Sequence, residues 1–195
     1  MTPPRGFSGP AQVRQTTRGA KLKRLLATAF HEAGHAVVGT VLGARPMALT
    51  TRPDGSGDCD REPLLSDDDL ERLSYSGLRE ELTVRIEREM LSSVAGQVAQ
   101  RIHRPSSVRW WQFRDDYRKV EELLLRQCGS PEDVGRQSDE LERMAERLLR
   151  KHWTAVERVA LALASKGHLP ADAVAQLMST VEAETPVLYD LEGRT

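Results

Sequence analysis

Residues 22–42 carry the pattern that most restricts what this chain can fold into. Leu22, Leu25, Leu26, Ala29, Phe30, Ala33, Val37, Val38, Val41 and Leu42 cover most of a helical circumference, which describes a helix buried on several sides rather than one lying on a surface. Gly43 is placed to end it, because glycine enters the left-handed conformation at least cost. Three residues interrupt the apolar surface: His31, Glu32 and His35. Two imidazoles and a carboxylate are costly inside a protein unless something satisfies them.

The spacing suggests what that is. Residues i and i+4 of a helix stand one above the other, so His31 and His35 can present two ring nitrogens to one ion about 2.0 Å away. Glu32 sits one residue round the axis. That offset suits a carboxylate facing water at an open metal position, the general-base role in H-E-x-x-H metallopeptidases. His31-Glu32-Ala33-Gly34-His35 thus predicts a catalytic zinc site with Glu32 as its base.

Downstream, residues 47–52 form a short β-compatible run, and Pro53-Asp54-Gly55-Ser56-Gly57 supplies turn chemistry. A small hairpin or edge strand is expected there. A second helix is expected over 77–103, where Leu78, Leu82, Ile86, Met90, Val94, Val98 and Ile102 recur every four residues beside the small Ser92, Ser93, Ala95, Gly96 and Ala99. Residues 104–114 read as a loop containing Trp110 and Trp111. A third helix starts near Asp115 or Asp116. Ser130-Pro131-Glu132-Asp133 has the form of an N-cap, opening one long helix that Gly167 stops, and a short helix follows Leu169-Pro170 to about residue 178.

A catalytic zinc usually takes three protein ligands. No third histidine follows the pair closely, so a carboxylate is needed. The candidates are Asp58, Asp60, Glu62, the run Asp67-Asp68-Asp69, and Asp115 or Asp116. The run is more simply a helix start behind Ser66.

At these residues the chain resembles the FtsH-type peptidase domain, the proteolytic half of membrane-anchored AAA-type zinc proteases. Ala29-Phe30-His31-Glu32-Ala33-Gly34-His35-Ala36-Val37-Val38-Gly39 is similar to that family's motif helix. Val94-Ala95-Gly96-Gln97-Val98-Ala99-Gln100-Arg101-Ile102 resembles its second helix, and Phe113-Arg114-Asp115-Asp116-Tyr117-Arg118-Lys119-Val120 resembles the segment supplying its third ligand. The resemblance spans about residues 22–180. It implies a mainly α fold with a small hairpin, zinc held by His31, His35 and Asp116, and peptide-bond hydrolysis. Substrate is expected to lie extended along the strand near 47–51 by strand addition. The chain departs from the family at Gln100 and Arg101, where acids are usual, and it has no G-x-x-x-x-G-K-[ST] phosphate loop.

A peptidase without a motor is expected to cut peptides and unfolded or flexible segments, or to borrow a separate unfoldase or regulatory protein. The alternative is a weak or inactive peptidase-like binding module acting through protein–protein contacts. The remaining features set the context. No acid precedes Glu32, while Arg5, Arg14, Arg18, Lys21, Lys23 and Arg24 do, so residues 1–20 read as a disordered basic arm. The zinc domain then covers 21–180 and a loose tail 181–195. The overall net charge of -1 argues against specific nucleic-acid binding. Cys59 and Cys128 match no ligand spacing and read as reduced thiols. Without a span of roughly 18 apolar residues, the expected location is the cytoplasm.

Overall fold

The computed structural model describes residues 10–76, 80–108, 114–128 and 130–181. The chain is mainly α-helical with one small antiparallel sheet. Helix α1 (Pro10–Val41) is the axis of the fold and packs against α3 (Glu80–His103) and α6 (Trp153–Lys166). Ala29, Ala33, Val37, Val38 and Val41 of α1 are fully buried, as the many-sided apolar pattern requires. The helix begins at Pro10, earlier than expected. Residues 10–20 of the supposed disordered arm are therefore helical; proline suits a first helical turn, whose N–H groups have no partner within the helix. Residues 1–9 and 182–195 of the two expected tails lie outside the described residues.

Helix α1 closes as a Schellman motif. Gly43 has φ +96°, its N–H donates to Thr40 O at 3.0 Å, and the N–H of Ala44 donates to Gly39 O at 2.8 Å. The expected hairpin follows, with β1 (Pro46–Thr51) pairing antiparallel to β2 (Gly57–Arg61). Beyond it, α2 (Asp67–Ser76) starts at a reciprocal cap in which Asp69 N–H donates to the Ser66 hydroxyl while Ser66 N–H donates to the Asp69 carboxylate.

Two further findings differ from the sequence reading. First, β1 is the middle strand. A two-residue strand, β3 (His168–Leu169), pairs with Leu49 and Thr50, giving the order β2-β1-β3, and Thr51 N–H donates to Gly167 O at 2.8 Å. Both edges of β1 are occupied, so it offers no place for strand addition; the outer edge of β2 pairs with no strand among the described residues. Second, the expected helix over 131–167 is two helices, α5 (Pro131–Lys151) and α6, separated by His152 at φ −105°, ψ 20°. The break serves different partners: α5 packs on α3, whereas α6 packs on α1. Trp153, just past the break, stacks on Phe30 at 5.6 Å, and His103 stacks on Phe30 at 3.7 Å.

The other boundaries agree. Helix α4 (Arg114–Gln127) opens on the two aspartates, Ser130 caps α5 by accepting from Asp133 N–H, Gly167 at φ +75° ends α6, and α7 (Ala171–Leu177) follows Pro170. Residues 77–79 of the expected second helix, and Trp110 and Trp111, fall outside the described residues. No described helix is long and apolar enough to cross a membrane.

Candidate metal centre

The site forms where α1 crosses α3 closely. A Cβ added to Gly34 would lie 2.6 Å from both Ala95 O and the Cβ of Ala99, nearer than real side chains come. The stripe of small residues in α3 exists to admit α1 at this point. Its consequence reaches the motif one turn on: Gly96 lies flat against the His35 ring, where a Cβ would stand 2.7 Å from ring carbons.

His35 is oriented by α3. Its Nδ1 lies 2.7 Å from Ser92 O, a contact that an N–H satisfies, which leaves Nε2 with its lone pair. That Nε2 is 3.0 Å from His31 Nε2. The first turn of α4 brings in Asp116, whose Oδ2 lies 3.4 Å from His31 Nε2 and 3.7 Å from His35 Nε2. A tetrahedral ion with bonds of about 2.0–2.1 Å sets its donors roughly 3.3–3.4 Å apart, so the three observed edges fit around one such ion. Glu32 belongs to the cluster too: one ligand atom from each of His31, Glu32 and His35 lies within 4.8 Å of the others. This group can hold a metal ion.

Glu32 is only 6% exposed and lies against the backbone of Gly57, where a Cβ would come 2.5 Å from its Oε1. The glycine at the start of β2 thus makes room for the carboxylate. Thr28, one turn before Glu32, donates its hydroxyl to Gly55 O at 2.7 Å and ties the hairpin turn to α1. Together these elements enclose a cleft of ≈ 660 Å³ that also includes Asp58, Cys59, Gln100 and Lys119.

Burial dominates the electrostatics. Burial, then the neighbouring His35, pulls His31 down to about 4, so at neutral pH its ring is uncharged and able to donate a lone pair. Burial pushes Glu32 up to about 7, with His35 opposing and Asp116 and Asp58 reinforcing. Burial would lower His35, but the negative charge of the adjacent Asp116, and then that of Glu32, raise it. Burial would likewise raise Asp116, yet the two adjacent histidines hold it well below the usual carboxylate range.

The other third-ligand candidates are exposed or otherwise paired. Asp115 lines the cleft but is exposed and 3.9 Å from Arg118. Asp58 lines the cleft but pairs with Arg52. Asp60, Glu62, Asp67 and Asp68 are exposed, and Asp69 is taken by its cap and by Arg85. Gln100 and Arg101 also turn to other tasks: Gln100 donates to Ser107 O at 3.1 Å, and Arg101 pairs with Glu142 at 2.6 Å. Glu142 accepts from Tyr117 at 2.7 Å and from Gln97 at 3.1 Å, which links α3, α4 and α5 beside Asp116.

Sequence reasoning missed the Ser92 carbonyl and the roles of Gly57 and Thr28. A backbone acceptor carries no residue signature, although Gly96 at four residues' spacing from Ser92 marks where a ring could approach α3. Compared with known proteins, the chain matches no protein-family model and no curated protein.

Proposed function

We propose that this protein is a zinc metalloendopeptidase resembling the FtsH-type peptidase domain. It would act on peptides and on unfolded or flexible protein segments. The observation that supports this best is the triangle of His31 Nε2, His35 Nε2 and Asp116 Oδ2, with edges of 3.0, 3.4 and 3.7 Å, set beside the buried carboxylate of Glu32 in an open cleft. In this reading His31, His35 and Asp116 hold the ion, and Ser92 O keeps His35 in the tautomer that directs Nε2 at it.

Zinc, when bound, supplies Lewis acidity toward water and the scissile carbonyl. Glu32 moves the proton. Its raised affinity lets the carboxylate take a proton from the attacking water and return it to the leaving amine near neutral pH. Glu32 stands one residue round the helix from His31, which favours this role over a place among the ligands. Asp116 is the better third donor because it approaches from a separate helix.

One observation favours a second reading, a binding or regulatory module. Gln100 and Arg101 of α3 bond Ser107 and Glu142 rather than supporting the histidines. Metal analysis of purified protein, beside casein cleavage by wild type and Glu32→Gln, separates the two. Zinc near one per chain, with cleavage abolished by the substitution, is the expected result. Zinc without cleavage in either protein would favour the module, and absence of metal would sink both.

A further inference from the structure

The turn between β1 and β2 divides two depressions. One face walls the metal cleft; the other walls a second pocket of ≈ 320 Å³ between α1, the turn and the C-terminal end of α6, and Gly55 belongs to both walls. Four cations line this second pocket: Lys21 and Arg24 from α1, Lys166 from the end of α6, and Arg52 from the turn, which already pairs with Asp58. No acidic residue is among its described lining. The carbonyl end of a helix attracts a cation, which accounts for Lys166, but that partial charge does not account for three more from other elements.

Two further observations show a built pocket. The turn is tied to α1 by the Thr28 bond to Gly55 O, and the stem of Arg24 packs over Gly55, whose Cβ would fall 2.8 Å from Arg24 Cγ. Arg24 is therefore held across the turn. Independently, Thr51 lies in the pocket wall at 6% exposure. Its buried hydroxyl has no hydrogen-bond partner among the described residues, and buried polar atoms are nearly always paired. A small oxyanion supplies acceptors for that hydroxyl and for the surrounding cations at once.

We infer that this pocket binds a carboxylate of the peptide lying in the adjacent cleft, so that the protein selects acidic substrates. The inference rests on the peptidase reading for what occupies the cleft. We assign the carboxylate to an Asp or Glu side chain, because the two depressions meet alongside each other at Gly55 of the turn. The cations are exposed, so the preference weakens as salt rises.

Fluorescence anisotropy tests this with a short labelled peptide carrying glutamates, its glutamine counterpart, and C-terminally amidated forms of both, titrated with zinc-loaded Glu32→Gln protein. The glutamate peptide is expected to bind on the order of fivefold more tightly at low salt, with or without amidation. The preference is expected to vanish in an Arg24→Gln/Lys166→Gln double variant and to shrink in Thr51→Val. A preference seen only with a free C-terminus would overturn the side-chain assignment. Equal binding of the glutamate and glutamine peptides, or a preference that survives the double variant, would overturn the pocket itself. If the charge preference holds but wild type cuts no peptide, the pocket stands and the peptidase reading falls; cleavage without charge preference is the reverse.

Discussion

His35 Nδ1 lies 2.7 Å from the carbonyl oxygen of Ser92, so the backbone of one helix decides which nitrogen of another helix's histidine faces His31 and Asp116. Because the partner is a carbonyl, no change of the Ser92 side chain removes the bond. It fails only if the helices move apart or the ring is pushed aside.

Gly96→Ala pushes the ring. The new methyl would overlap His35, and losing a bond that orients a metal ligand typically costs about 10–100-fold in affinity. Competition with a fluorescent zinc chelator should register that loss while circular dichroism shows the helices retained.

Gly34→Ala acts on the crossing instead. Its methyl meets the Ala95 carbonyl and the Ala99 methyl, and overpacking of this kind destabilises by about 1–3 kcal/mol. Urea unfolding should show a lowered midpoint; an unchanged midpoint would mean that α1 and α3 are less tightly apposed than described.

Asp116→Asn and Asp115→Asn form a matched pair. The first removes an anion next to both histidines, the second an exposed one. Zinc affinity should fall in the first by more than the roughly 10–100-fold caused by loss of a supporting contact and stay unchanged in the second. Equal affinities would move the third ligand elsewhere.

In metal-free protein, Glu32 imposes a pH dependence. The folded chain keeps this proton up to about pH 7, whereas the unfolded chain releases it near the ordinary glutamate value of 4.5. The unfolded state binds fewer protons across that window, so the Glu32 contribution to stability falls as pH rises through it. Relative to Glu32→Gln, wild type should lose about 3 kcal/mol between those limits. Parallel urea curves for both proteins in chelator check this; a constant difference would show that Glu32 is not held protonated.

Lys119→Met tests the other wall of the cleft. Glu89 is fully buried, accepts from Leu64 N–H at 3.0 Å and pairs with Lys119 at 2.5 Å. Removing the lysine takes a half-exposed charged donor away from that carboxylate, and a hydrogen bond to a charged group is worth about 1.5–3 kcal/mol. Glu89→Gln keeps an acceptor for Leu64 and leaves only the half-exposed lysine charge, so thermal melts should show it to be the milder change.

Much of this arrangement was legible in the chain. The motif helix, the small-residue face of α3 and the caps at Gly43, Ser66, Ser130 and Gly167 follow from local geometry, which neighbouring residues determine. Asp116 could be chosen over its competitors only by resemblance, and its nearness to the histidines depends on how α4 meets α1. The pairing of β3 with β1 was not legible, because His168 and Leu169 have no strand pattern and find Thr50 and Leu49 across the whole domain. The break at His152 was hidden as well. Leu149, Val156 and Leu163 keep seven-residue spacing through it, and only the separate partners of α5 and α6 reveal the bend.

The placement of β3 sets an order of events during synthesis. His31, His35 and Asp116 have all been made once the ribosome passes residue 116, and the hairpin that shelters Glu32 is made earlier still. The far edge of β1 nevertheless stays bare until His168 and Leu169 emerge, and the Thr51 amide waits for Gly167. A nascent chain therefore carries every residue proposed to hold the metal before the wall beside them is finished, and the end of α6 must arrive to complete it.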